Sequence, residues 1–153
     1  MLVINGLKVP VLGLSSSSFL ENPKLGFTDK KDYGLRKTSW VHSICVHTRM
    51  GIWPQPIGAA GSDRHWDELG VKNASNDDRI ASWHLSIDSD GSFVCHLDLA
   101  KHKAYHVSQC NEHSIGIEMY QTADGVVTNE TLESCVKIID VITREFKIQR
   151  QFA

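Results

Sequence analysis

Between Ala81 and Tyr120 apolar and polar residues alternate in short blocks separated by turn residues. Trp83, Leu85 and Ile87 fall on one side of the alternation and Ser82, His84 and Ser86 on the other, the period-two signature of a strand with one buried face. Asp88-Ser-Asp-Gly91 reads as a turn, with Gly91 suited to a positive φ. Alternation resumes over Ser92–Leu97 through Phe93, Cys95 and Leu97, which completes a hairpin. Ser114–Tyr120 reads as a third strand, with Ile115, Ile117 and Met119 on one side and Glu118 on the other. Upstream, Trp40–His47 is apolar enough for a central, buried strand. Leu2–Val9 reads as a small hairpin, because Asn5-Gly6 between apolar runs suits a turn whose two central residues both need φ > 0. The last element switches to helical spacing: Leu132, Cys135, Val136, Ile139, Ile142 and Phe146 form one stripe. Thr128 is its N-cap, with Glu130 and Glu133 near the positive end and Arg144 and Lys147 near the other.

The intervening segments read as connections. Leu14–Ser18 is a Ser-rich linker, 20–37 is polar, and 48–61 holds Gly51, Pro54, Pro56, Gly58 and Gly61. A short helix is expected over Asp63–Val71 with Trp66 and Leu69 inward, followed by a polar connection over 73–79. The expected fold class is α/β: a mixed central β-sheet flanked by helices, with a small N-terminal β arm. Residues 1–39 are assigned to the arm and 40–153 to the domain.

Composition narrows the class. At 153 residues, 41% hydrophobic and 22% charged, the chain is long enough for one ordinary core. A net charge of −2 gives no bulk attraction to nucleic acid or anionic membrane. The longest apolar runs are too short to span a bilayer. Met1–Leu14 holds only Lys8 and is broken by Asn5-Gly6 and Pro10, so no signal peptide is read there and synthesis in the cytoplasm is expected. The cysteines (Cys45, Cys95, Cys110, Cys135) form no CxxC pair and read as reduced, with Cys45, Cys95 and Cys135 in the core.

The 8 histidines are a high count, and histidine is the commonest metal ligand. His47 closes a strand next to a loop, where it serves either as a structural residue or as a ligand. His106 lies in a loop between strands and reads the same two ways. Glu118 is a carboxylate on a half-buried strand. It is either an ion-pair partner or a general base beside an activated water. There is no Walker motif, no HExxH and no nucleophile elbow. Asp88-Ser-Asp-Gly91 lacks the glutamate of a calcium loop.

Four ordered segments then carry a resemblance: Ile44-Cys-Val-His47-Thr48, Ala81-Ser-Trp-His-Leu-Ser-Ile-Asp-Ser-Asp-Gly91, Lys103-Ala-Tyr-His106 and Asn111-Glu-His-Ser-Ile-Gly-Ile-Glu118. They resemble the type 2 N-acetylmuramoyl-L-alanine amidases, a family that includes amidase-type phage lysozymes and peptidoglycan recognition proteins. The likeness spans about residues 40–148, and the N-terminal arm looks like those of some phage and prophage members. The resemblance implies a zinc-dependent hydrolase of cell-wall peptidoglycan that cleaves the lactyl–L-Ala amide. It implies His47 as a zinc ligand, Glu118 as the catalytic carboxylate, and Trp83, His106 and Asn111 along the groove for the muropeptide. Trp83 stands where several catalytic members carry Tyr, so a hydroxyl donor is missing there. Tyr105 stands where Trp is common.

The family's remaining zinc ligands follow its last helix, as a Gly-His and then an Asp or Cys. Lys147–Ala153 contains neither. The chain is therefore expected to be a truncated amidase, one part of a split enzyme completed by a second polypeptide, or a degenerate relative. The alternative from another class is a non-catalytic peptidoglycan-binding or phage structural module. Rebuilding the metal site from His42, His84 and His106 around His47 is a further reading. Action on the cell wall would need delivery by another system.

Overall fold

The structure is a computed structural model, and its described residues are 1–14, 36–50, 83–104, 106–122 and 124–149. The Ser15–Ser18 linker, the short helix over 63–71 with its flanking loops, and Tyr105 lie outside them.

Strands β1 (Leu2–Ile4) and β2 (Leu7–Val9) pair antiparallel with Leu2 opposite Val9. Asn5 and Gly6 have φ of 52° and 79°, the left-handed pair that the Asn-Gly turn requires. The turn is tied down from outside: the Asp98 carboxylate accepts N–H bonds from Asn5 at 3.0 Å and Gly6 at 2.6 Å. It also accepts from Ala100 and Lys101. All three β1 residues are buried in the main apolar cluster, while Leu7 on β2 is exposed.

The principal sheet has four described strands: β3 (Ser43–Met50), β4 (Leu85–Ile87), β5 (Phe93–Cys95) and β6 (Ser114–Gln121). Their order is β3-β6-β4-β5. β6 runs parallel to both β3 and β4, and β4–β5 is the antiparallel hairpin, so the sheet is mixed as expected. Two expectations need correction. β3 begins at Ser43, because Thr38–Trp40 form a 3₁₀ turn, and it continues past His47 to Met50. β3 also ends the strand order among the described residues, with Val46 41% exposed, and β6 takes the central place. β6 suits that place because Ser114 through Met119 are buried on both faces.

Helix α1 (Asn129–Phe146) covers the face bearing Ile115, Ile117, Leu85 and Ile87. Thr128 caps it, its Oγ1 accepting from Thr131 N at 3.2 Å and donating to Ser89 O at 2.7 Å. Thr131 Oγ1 donates to Asp88 O, so the helix start is bolted to the β4–β5 turn. Gly91 has φ of 78°, and a Cβ there would lie 2.7 Å from Ser134 Oγ and 2.8 Å from Glu130 O. Only glycine fits both the turn and the helix against it. The buried stripe is Cys135, Ile138, Val141 and Ile142, with Ile139 and Phe146 at its margin. Leu132 and Val136, placed in the stripe by spacing alone, are 45% and 67% exposed: the stripe is rotated toward Ile138 and Val141. Among the described residues no helix is long and apolar enough to cross a membrane.

Candidate functional site

The face of the sheet away from α1 carries the polar residues. In parallel strands laterally paired residues project to the same side. His47 on β3 pairs with Glu118 on β6, and Glu118 pairs with Ser86 on β4. Because Ile115, Ile117 and Met119 enter the core, Ser114, Gly116 and Glu118 face the opposite way. The sequence motif Ser114-Ile-Gly-Ile-Glu118 thus lays a hydroxyl, a bare backbone and a carboxylate in a row. Glu118 is 8% exposed.

His106 lies over the bare backbone. Its ring is so close to Gly116 that an added Cβ would stand 2.7 Å from Cγ and 2.9 Å from Nδ1. His106 Nδ1 is 3.3 Å from His47 Nε2, the rings meeting edge to face at 82°. On its other side Nε2 is 3.2 Å from Ser114 Oγ. Burial pushes the His106 imidazole down to about 4, with the neighbouring His47 adding to the effect, so the ring is neutral at physiological pH. Asn111 is buried, and its Oδ1 accepts from the backbone N–H of His106 at 2.9 Å and of Val107 at 2.8 Å. Its side-chain oxygen therefore fixes the loop that presents His106.

Trp83 precedes β4, and its indole is not on the Leu85–Ile87 side that alternation suggested. Its Nε1–H needs an acceptor and donates to Ser86 Oγ at 2.9 Å, which draws the ring to the polar face. Ser86 Oγ is also 2.7 Å from His96 Nε2, and both residues are buried. The expectation that β4 buries one face is corrected accordingly: His84 and Ser86 are as buried as Leu85 and Ile87.

His84 is not available for a rebuilt metal site. Its Nδ1 accepts from Gly116 N at 3.0 Å and its Nε2 faces His102 O at 3.0 Å. Burial first, then the adjacent Arg36 cation, holds it well below its ordinary value. His42 lies outside β3, stacked on His113 at 5.0 Å. Arg36 is the largest element that sequence reasoning missed. It is buried in a stretch that reads only as polar, and its guanidinium donates to the carbonyls of Asn111, Ser114 and Leu99. Burial lowers it to about 10, so it remains a cation. Ser114, Gly116, Ser86 and His96 were also missed, although the alternation around Ile115–Ile117, Leu85–Ile87 and Phe93–Cys95 placed all four on the polar face.

The cysteines are free: Cys95 and Cys135 are buried, Cys45 is half-buried and Cys110 is exposed. Burial pushes the Cys95 thiol up to about 12 and the Cys135 thiol to about 11, so both are inert. Among the described residues no three His, Cys, Asp or Glu side chains converge to hold a metal ion. A catalytic zinc takes three protein ligands and a water. The described residues therefore hold no complete set of ligands for such an ion.

Residues 38–153 match the family profile of N-acetylmuramoyl-L-alanine amidase. No curated protein matches the chain by sequence. Solved structures with a similar fold include AmpD, 18% identical with a TM-score of 0.63, the match covering 96% of this chain and 81% of that one. A mutant endolysin from Bacillus subtilis is 24% identical with a TM-score of 0.57, covering 77% and 70%. The Drosophila peptidoglycan recognition protein PGRP-SA is 13% identical with a TM-score of 0.57, covering 85% and 75%. At these identities the structural likenesses establish the fold.

Proposed function

The chain belongs to the N-acetylmuramoyl-L-alanine amidase family, and from that premise we propose that it hydrolyses the amide between the muramoyl lactyl group and L-alanine in peptidoglycan. The observation that carries this reading is the lateral pairing of His47 with Glu118 on the polar sheet face, with His106 on His47. Amide hydrolysis needs a base for the attacking water, stabilisation of the carbonyl oxygen, and a proton for the leaving nitrogen. Glu118 is the carboxylate assigned to take the water's proton and return it to the leaving amine. The residue is only 8% exposed, so it stands largely out of bulk water. His47 is assigned as a ligand nitrogen. Zinc, which the family resemblance implies, supplies Lewis-acid polarisation of the carbonyl when bound. Its further ligands would come from outside the described residues.

Trp83 is assigned as a wall of the groove. Its only donor is spent on Ser86, so it contributes an apolar face for a sugar ring or stem peptide and no hydrogen bond to the scissile carbonyl. Asn111 serves the site through the His106 loop. The test is incubation with purified peptidoglycan, with mass spectrometry of the soluble products in the presence and absence of a chelator. Peptides with a free N-terminal alanine, lost on chelation, are the expected result.

A second reading is favoured by the lack of three converging ligands among the described residues. It is a peptidoglycan-binding module without turnover. Under it, muropeptide binds equally well with EDTA and no stem peptide is released.

A further inference from the structure

We infer that His106 and Ser114 are positioning residues that hold the His47 ring in one tautomer, with the proton on Nε2 and the lone pair on Nδ1. The inference rests on the reading of His47 as a functional residue. It follows from the direction of a chain of hydrogen bonds whose last member can only accept.

That last member is the backbone carbonyl of Cys110. Ser114 Oγ donates to it at 2.8 Å, which uses the hydroxyl's single hydrogen. Toward His106 Nε2, at 3.2 Å, the same oxygen can only accept. Nε2 of His106 must then carry the ring proton. A neutral imidazole has one N–H, so Nδ1 of His106 is a bare acceptor. Its neighbour at 3.3 Å is His47 Nε2, which must donate. The unprotonated nitrogen of His47 is then Nδ1, the atom presented to whatever the site binds. The opposite polarity would require Ser114 to give up the shorter of its two bonds.

The cradle around His106 keeps this chain in register. Asn111 Oδ1 holds the backbone N–H groups of His106 and Val107. Arg36 holds the carbonyls of Asn111 and Ser114 from beneath. Gly116 lets the ring lie flat on β6. With the backbone so fixed, a ring flip that exchanges the nitrogens would lose the bonds to both Ser114 Oγ and His47 Nε2. This is the supporting role that outer partners give a ligating histidine, fixing both tautomer and ring orientation.

The test is two-bond ¹H–¹⁵N NMR of the imidazoles in the metal-free, full-length chain at neutral pH, beside turnover of peptidoglycan. The wild type is expected to show Nε2–H at both His47 and His106. Ser114→Ala removes the acceptor, so the pair is free to invert together, and the Nε2–H to Nδ1–H ratio of His47 falls about fivefold, one hydrogen bond's worth. Ser114→Thr keeps the hydroxyl and retains the wild-type ratio. His106→Asn, which can present an acceptor near the Nδ1 position, leaves His47 as Nε2–H, and His106→Ala does not. In kinetics Ser114→Ala lowers kcat with KM unchanged. Finding His47 as Nδ1–H in the wild type, or an unchanged ratio in folded Ser114→Ala, overturns the inference. Wild-type tautomers and a Ser114 response as described, with no stem peptide released, uphold the inference and overturn the amidase reading.

Discussion

Gly116→Ala tests the geometry of the site through one methyl group. The new Cβ would lie 2.7, 2.8 and 2.9 Å from Cγ, Cδ2 and Nδ1 of His106. Carbon–carbon contact is comfortable at about 3.5–4.0 Å, so the ring must recede by roughly 1 Å. It has little slack. Its hydrogen bonds to Ser114 and His47 are already 3.2 and 3.3 Å long, and both break on such a shift. Overpacking costs about 1–3 kcal/mol and each lost bond about 1 kcal/mol. The sum is about 3–5 kcal/mol, or roughly 6–20 °C in Tm for a chain of this size. The assay is thermal and urea unfolding of Gly116→Ala, His106→Ala and the double variant. With the imidazole gone the methyl has room, so the cost of Gly116→Ala should fall close to zero in the His106→Ala background. An equal cost in both backgrounds would refute the packing of His106 on Gly116.

Other outcomes follow from the same structure. Arg36→Met leaves the carbonyls of Asn111, Ser114 and Leu99 without their cation, and should cost about 2–4 kcal/mol in urea unfolding. Arg36→Lys should recover little of it, since an ammonium is one point charge and cannot span three acceptors. Stability should fall with acid. Burial lowers His84 and His106 below the ordinary 6.5, so the unfolded chain binds more protons, and stability is full above about 6.5 and declines as pH falls toward 4. The slope approaches 1.4 kcal/mol per pH unit for each histidine, less for the part-exposed His106, and a flat urea midpoint between pH 7 and pH 5 would contradict it. Thr128→Ala removes the cap of α1 and its bond to Ser89. It should cost about 1–2 kcal/mol in Tm measurements, and Thr128→Ser should restore most of that.

The strands and the last helix were legible because alternation and helical spacing report burial directly. The Asn5-Gly6 and Asp88–Gly91 turns were legible because positive φ selects residue type. The phase of α1 was not. Leu132 and Val136 fit the spacing as well as Ile138 and Val141 do, and only the position of the β4–β5 turn against Thr131 decides which side is buried. Among the described residues β3 stands at the end of the strand order and not at its centre, for a related reason: an apolar run reveals a strand but not its neighbours, and lateral order emerges only from pairing. At the site, His47, His106 and Glu118 could be singled out by residue type and position. Arg36 could not, since nothing local distinguishes a buried cation that binds carbonyls from a solvated one. His106 and Asn111 were named for the groove, whereas the structure shows His106 bonded to His47 and Asn111 bonded to the loop behind it.

The most direct measurement is the release of stem peptides from purified peptidoglycan by the whole chain, supplied with zinc, beside Glu118→Gln. The amidase reading predicts peptides with free N-terminal alanine from the wild type and their loss, by a factor of about 100 or more, in Glu118→Gln. Binding of muropeptide with no peptide released, unchanged by Glu118→Gln, would contradict it.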